Sequence, residues 1–301
     1  MNDRKAYLES YLKEKKLLVD RALEECLPGE DNFPEIIFQS IRYSMFAGGK
    51  RLRPILCLAS AEAVGGDSSR LLPVACALEM IHTYSLIHDD LPVMDDDDYR
   101  RGRLTNHRVF GEDMAVLAGD ALLTEAFHLL ARKETASHFP PEKILCAISE
   151  IARAAGIFGM VGGQVADIQA EGKAADPKVL EFIHRHKTGE MIRVSVITGA
   201  LLGGADDNSI KRLEKFGGNI GLAFQITDDI LDIEGDMDTL GKATGQDAAF
   251  NKMTYPFLMG VEQARQKAKY HLEEALAELS GFDERAEPLR LIAKFVVERT
   301  V

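Results

Sequence analysis

The chain has 301 residues, 46% of them hydrophobic, and a formal net charge of −12. That is too apolar for a disordered chain and long enough for a sizeable core. The negative balance argues against nucleic acid as a partner, which wants a basic face, although an acidic protein still binds an anion where cations bridge the two.

The N-terminal run MNDRKAYLESYLKEKKLLVDRALEECL mixes charged and apolar residues at helical spacing. It lacks the continuous apolar stretch of a signal peptide. The next basic group, GGKRLRP, sets Lys50, Arg51 and Arg53 beside two glycines. No Ser or Thr follows the lysine, so it is not a P-loop, and alone it reads as a charged helix start. Residues 74–88, VACALEMIHTYSLIH, are apolar nearly all round, as in a buried helix. His82 stands seven residues before Asp89 and shares its face.

That helix runs into HDDLPVMDDDDYRRG. Asp89 and Asp90 end it, because Pro92 clashes with the carbonyl four residues back. Beyond the break the chain is expected to loop, which lets Asp95 swing towards Asp89, and paired carboxylates hold hard cations. A bare charge run is ordinarily a solvated loop. This one is anchored to an apolar helix and is followed at once by Arg100 and Arg101, which suit an anion. A calcium EF-hand is excluded, since Arg100 and Asn106 stand where glycine and glutamate are required. The roles of Asp96, Asp97 and Asp98 stay open.

Further on, DPKVLEFIHRHKTGEMIRVSVITGALLGG opens with Asp176 as N-cap and Pro177 at the first helical position, and closes on Gly203-Gly204. Residues 208–233 read as another helix with Gly217, Gly218 and Gly221 inside it, where close packing would offset the cost of glycine. Within it, FQITDDILD places Asp228 and Asp232 four apart on one face with Gln225 on the same stripe, so one amide and three carboxylates, Asp229 included, are expected to face one way. Buried carboxylates need partners. Residues 255–301 are again charged amphipathic helix. Gly65-Gly66 and Phe139-Pro140-Pro141 read as helix–helix turns.

Helical periodicity thus dominates, with few strand patterns and no linker. The reading is all-α, a single domain over 1–301 with roughly ten or more helices. No apolar run is expected to reach the roughly 18–20 residues that cross a bilayer. The four cysteines, Cys26, Cys57, Cys76 and Cys146, form no CxxC pair and read as reduced thiols of a cytosolic protein. Two carboxylate clusters and several separate cations suggest divalent metals on the aspartates bridging to a diphosphate, with arginines and lysines closing the shell.

These motifs resemble the trans-isoprenyl diphosphate synthase family, nearest its bacterial farnesyl type, almost end to end: GGKRLRP, EMIHTYSLIHDDLPVMDDDDYRRG, GGQVADI, HKTGEM, FQITDDILD and NKMTYP. The resemblance implies helices around a large central cavity, a cytoplasmic homodimer and no membrane span. It implies condensation of isopentenyl diphosphate with dimethylallyl or geranyl diphosphate to give farnesyl diphosphate. It also implies Mg²⁺, roughly three ions per site, with Mn²⁺ as an alternative. By the same resemblance Asp89, Asp95 and Asp228 hold the metal, supported by Asp90, Asp229 and Asp232. Arg100, Lys187 and Lys252 grip the allylic diphosphate, with Lys242 joining on closure. Lys50, Arg53, His82 and Arg101 grip isopentenyl diphosphate. Thr188 and Gln225 lie near the developing cation, and Tyr84 and Ser85 set the chain length. A geranylgeranyl diphosphate synthase and a non-catalytic partner subunit are the alternatives. The second is disfavoured because both aspartate clusters are intact.

Overall fold

Residues 2–234 and 253–298 are described by a computed structural model of the chain. Its helices are α1 (Asn2–Cys26), α2 (Glu35–Met45), α3 (Leu52–Ala63), α4 (Leu72–Asp89), α5 (Asn106–Phe110), α6 (Glu112–Ala131), α7 (Lys133–Ala136), α8 (Pro141–Ala155), α9 (Met160–Ala170), α10 (Pro177–Ile183), α11 (Glu190–Leu202) and α12 (Asp207–Glu234). Three more follow over Tyr255–Met259, Val261–Glu278 and Glu287–Glu298. The fold is all-α, as the periodicity implies.

At the centre α4 packs on α1, α3 and α6, while α11 packs on α3, α8 and α12. Both helices are apolar on nearly every side, because neighbours cover them all round. One buried cluster joins α1, α4, α6 and α8, and a second joins α3, α11, α12 and the last helix.

The structure corrects the sequence reading in four places. The stretch 177–202 is not one helix: residues His184–Gly189 form a π-helical turn between α10 and α11. The Asp176 cap at its start is present, accepting from Lys178 N at 2.8 Å. The C-terminal stretch is divided, first at Gly260, whose φ of +83° an L-residue with a side chain seldom adopts. A small hairpin, β1 (Tyr99–Arg100) with β2 (Arg103–Leu104), follows the aspartates. Its two-residue loop is Arg101-Gly102, both at positive φ, the turn that matches strand twist. Finally, three helical stretches, 68–89, 112–131 and 141–170, do have the length and hydropathy of a bilayer crossing. The first has 67% of its apolar window buried inside the protein, so the same composition serves as core.

The glycines of α12 divide as well. A Cβ at Gly217 would lie 2.9 Å from Arg193 Cα, and one at Gly221 2.8 Å from Gly189 Cα, so these two permit helix contact. Gly218 faces open space and has no such reason.

Candidate active site

A cavity of about 2420 Å³ opens between α4, α9, the π turn and α12. Its lining includes Lys50, Arg53, His82, Tyr84, Ser85 and Asp89. Asp95, Arg100, Arg101, Lys187, Thr188, Gln225, Asp228, Asp229 and Asp232 line it too. The structure therefore brings together the sequence candidates that fall within the described residues, except Asp90, which is buried behind the wall. Lys242 and Lys252 lie outside the described residues.

The first aspartate cluster is built by the helix break. Asp95 N donates to Asp89 O at 2.8 Å and Met94 N to Leu91 O at 2.8 Å, so the chain turns back after Pro92. Burial raises the Asp89 carboxyl to about 6, with Lys187 opposing and Asp95 adding to the rise. Asp90 behaves differently from its neighbour. It is 3% exposed, and its Oδ1 accepts from Arg100 Nε at 2.6 Å. Burial pushes this carboxyl up and the Arg100 contact pulls it down. Asp90 thus anchors Arg100 rather than standing beside Asp89, and Asp97 Oδ2 lies 3.4 Å from the same guanidinium.

The basic stretch after Gly48-Gly49 divides by function. Arg51 turns inward: its Nε donates to Asp20 at 2.8 Å, one Nη to Glu79 at 2.8 Å and the other to Met45 O at 2.8 Å. Its φ of +51° reverses the chain there, which leaves Lys50 and Arg53 on the cavity wall. Arg53 Nε is buried with no protein partner. Arg101 donates to Gly48 O. His82 is held well below its ordinary range by burial first, then by Arg53, Arg101, Arg100 and Arg51. Burial and the nearby guanidiniums thus both disfavour a charged imidazole at this position.

The opposite wall is α12 with the π turn. The close contact of Gly189 with Gly221 seats this turn on α12. A π turn re-aims side chains relative to an α-helix and recurs at functional sites. Here it places Lys187 and Thr188 on the cavity together with Gln225 and Asp228 of α12. Asp229, one residue on, is 4% exposed and takes a different partner set. Its Oδ2 accepts from His184 Nε2 at 2.8 Å and from Tyr255 N at 3.0 Å. It therefore ties α12 to the π turn and to the chain entering the helix Tyr255–Met259.

Residue-level reading of the sequence missed His184, Gln164 and Asp167. Lys187 Nζ donates to Asp167 Oδ2 at 2.7 Å, and Gln164 presents a buried, unpartnered Oε1 to the same cavity. Their i, i+3 spacing on one face of α9, within GGQVADI, was the available signal. The lining also has an apolar part, with Val116 from α6, Val161, Val165 and Ile168 from α9, and Ile183.

The donor set suits a hard cation: Asp89, Asp95, Asp228 and Asp232 supply carboxylate oxygens to one cavity. Among the described residues no three ligating groups converge on one point. A metal here would be held by one or two carboxylates together with the anion itself, the manner in which Mg²⁺ binds beside phosphates.

Comparison with known proteins gives a consistent picture. A family model described as polyprenyl synthetase matches residues 34–290. A farnesyl diphosphate synthase of Geobacillus stearothermophilus is 49% identical over 97% of this chain and 98% of its own. A geranylgeranyl diphosphate synthase of Cyanophora paradoxa is 49% identical over 97% of this chain and 96% of its own. The crystal structure of an FPP/GFPP synthase from Zymomonas mobilis superposes with a TM-score of 0.88 at 36% identity, covering 97% of this chain and 99% of that one.

Proposed function

The chain belongs to the polyprenyl synthetase family, the trans-isoprenyl diphosphate synthases, and from that premise we propose that it makes farnesyl diphosphate. Isopentenyl diphosphate is condensed with dimethylallyl and then geranyl diphosphate. The observation that carries this reading is the single cavity on which two carboxylate clusters, two groups of cations and an apolar wall converge.

In this reading Asp89, Asp95 and Asp228 would hold Mg²⁺, with Asp232 beside them. The metal supplies charge neutralisation for the departing diphosphate. The other steps belong to the chain's own groups. Arg100, braced by Asp90, and Lys187, braced by Asp167, grip the allylic diphosphate and stabilise the charge that develops as its C–O bond breaks. Lys50, Arg53, His82 and Arg101 take the diphosphate of isopentenyl diphosphate. Thr188 and Gln225 turn oxygen dipoles to the allylic cation. The isopentenyl double bond attacks that cation, and the proton lost afterwards passes to the released diphosphate. Val116, Val161, Val165 and Ile168 keep water from the cation and hold the growing hydrocarbon. Lys242 and Lys252 complete the diphosphate shell. We place the enzyme in the cytoplasm as a homodimer.

Tyr84 supports a fifteen-carbon product. It lies five residues before Asp89, about 7.5 Å down α4 at 1.5 Å per residue, and is buried against the cavity. The mixed names of the relatives favour a second reading, a twenty-carbon product. One experiment tests both. The purified protein is incubated with geranyl diphosphate, isopentenyl diphosphate and Mg²⁺, and the dephosphorylated alcohols are separated by chromatography. A fifteen-carbon alcohol is expected. A twenty-carbon alcohol supports the second reading, and no released diphosphate would overturn prenyl transfer altogether.

A further inference from the structure

Tyr84 is not a free-standing floor, and what holds it bears on the prenyl-transfer reading on which this inference rests. One turn along α4 the His88 ring meets the Tyr84 ring edge to face, with centroids 5.7 Å apart and planes at 81°. Residues four apart on a helix are in register to touch, but an imidazole fixed only by its own helix is free to change rotamer. His88 is fixed from the far side. Its Nε2 hydrogen-bonds the Val116 carbonyl of α6 at 3.1 Å. Gly119, three residues further along α6, leaves the notch in which the ring sits: a Cβ there would lie 2.1 Å from His88 Nε2. Tyr84, His88 and Val116 all line the cavity. The proposed metal and diphosphate contacts do not use His88.

The geometry points to His88 as a specificity-determining residue that acts through Tyr84. Held by the Val116 carbonyl and seated against Gly119, it props the phenol ring across the cavity and so limits the hydrocarbon that fits beyond. With the imidazole gone, the vacated space adjoins Tyr84, and the phenol can turn into it. A growing chain will enter any room so opened, since withdrawing each further methylene from water is favourable. The device is a three-part contact between two helices, with Gly119 as the part that has no side chain.

The test compares full-length wild type, His88→Ala, Tyr84→Ala and the double variant with geranyl diphosphate, isopentenyl diphosphate and Mg²⁺, reading the product-length distribution. Because this is a ratio per product formed, a smaller folded fraction alone does not move it, and slower condensation would move it towards shorter product, opposite to the shift expected here. His88→Ala is expected to raise the ratio of longer product to wild-type product about tenfold, the low end of what a methylene-scale change in a pocket achieves. The double variant should match Tyr84→Ala, since nothing remains to be propped. Gly119→Ala approaches from α6, displaces the same ring and should shift the distribution in the same direction. Should His88→Ala not fold, His88→Asn, which keeps a donor for the Val116 carbonyl but not the ring, gives the same readout. An unshifted distribution in the His88 and Gly119 variants overturns the prop, as does a His88 shift that adds fully to that of Tyr84→Ala. No prenyl product from wild type overturns prenyl transfer itself, a distinct failure.

Discussion

Adjacent residues of like charge have opposite fates in this protein. Lys50, Arg51 and Arg53 are all basic, yet Arg51 turns inward and is held by Asp20, Glu79 and the Met45 carbonyl, whereas Lys50 and Arg53 line the cavity. Arg51→Met should destabilise the protein by about 3–5 kcal/mol, because Glu79 would be left as an unpaired buried charge. Urea denaturation measures this, and a change within error of zero would show that Glu79 finds another partner. The aspartates divide in the same way. Asp89→Ala is expected to lower turnover by about 10²-fold or more, the scale of losing transition-state charge stabilisation. Asp97→Ala, whose carboxylate lies 3.4 Å from Arg100, should cost under about tenfold. Steady-state kinetics with saturating Mg²⁺ separates the two, and equal losses would erase the distinction. The sequence marked which aspartates and cations to consider, because their types and spacing are visible. It did not reveal that Asp90 braces Arg100, since a contact ten residues apart depends on the Arg101-Gly102 hairpin turning the chain back.

Among the elements, α12 carries the second aspartate cluster and is backed by the helix Val261–Glu278. His271 on that helix lies 2.9 Å from the Asn219 side chain, and its Nε2 has no protein partner. Burial, then Lys267 and Arg185, holds its imidazole down at about 4. The unfolded chain therefore takes up a proton near the ordinary value of about 6.5 while the folded chain does not, so this histidine contributes stability above pH 6.5 that is lost as pH falls towards 4. The thermal midpoint of wild type should fall more steeply over that window than that of His271→Gln. Parallel curves would show that His271 titrates alike in both states. The helices themselves were legible from apolar periodicity, as for α4 and α12. The π turn at His184–Gly189 was not, because its residues continue an ordinary helical pattern. It is the contact with α12 at Gly221 that fixes its place.

At the scale of the whole molecule, one cavity carries carboxylates and cations together, and part of that charge is paired within the protein, Lys187 with Asp167 and Arg100 with Asp97. In the prenyl-transfer reading Mg²⁺ would bind the carboxylates and diphosphate the cations, each strengthening the hold on the other. Their joint addition should therefore raise the thermal midpoint by more than the sum of the shifts from Mg²⁺ alone and inorganic diphosphate alone. Additive shifts in a melting assay would mean that the two bind independently. This expectation comes from how the sites sit relative to one another, which no local pattern encodes. By itself the sequence determined the helical class, the residue types of the site and the break at Pro92, since these follow from periodicity, side-chain chemistry and proline's ring. Only the tertiary structure decided which carboxylates face the cavity and which brace a cation, that Gln164 and Asp167 join them, and that Tyr84 leans on a histidine seated against α6. Those outcomes depend on the meeting of helices remote in the chain, where packing and burial rather than spacing set each side chain's partner.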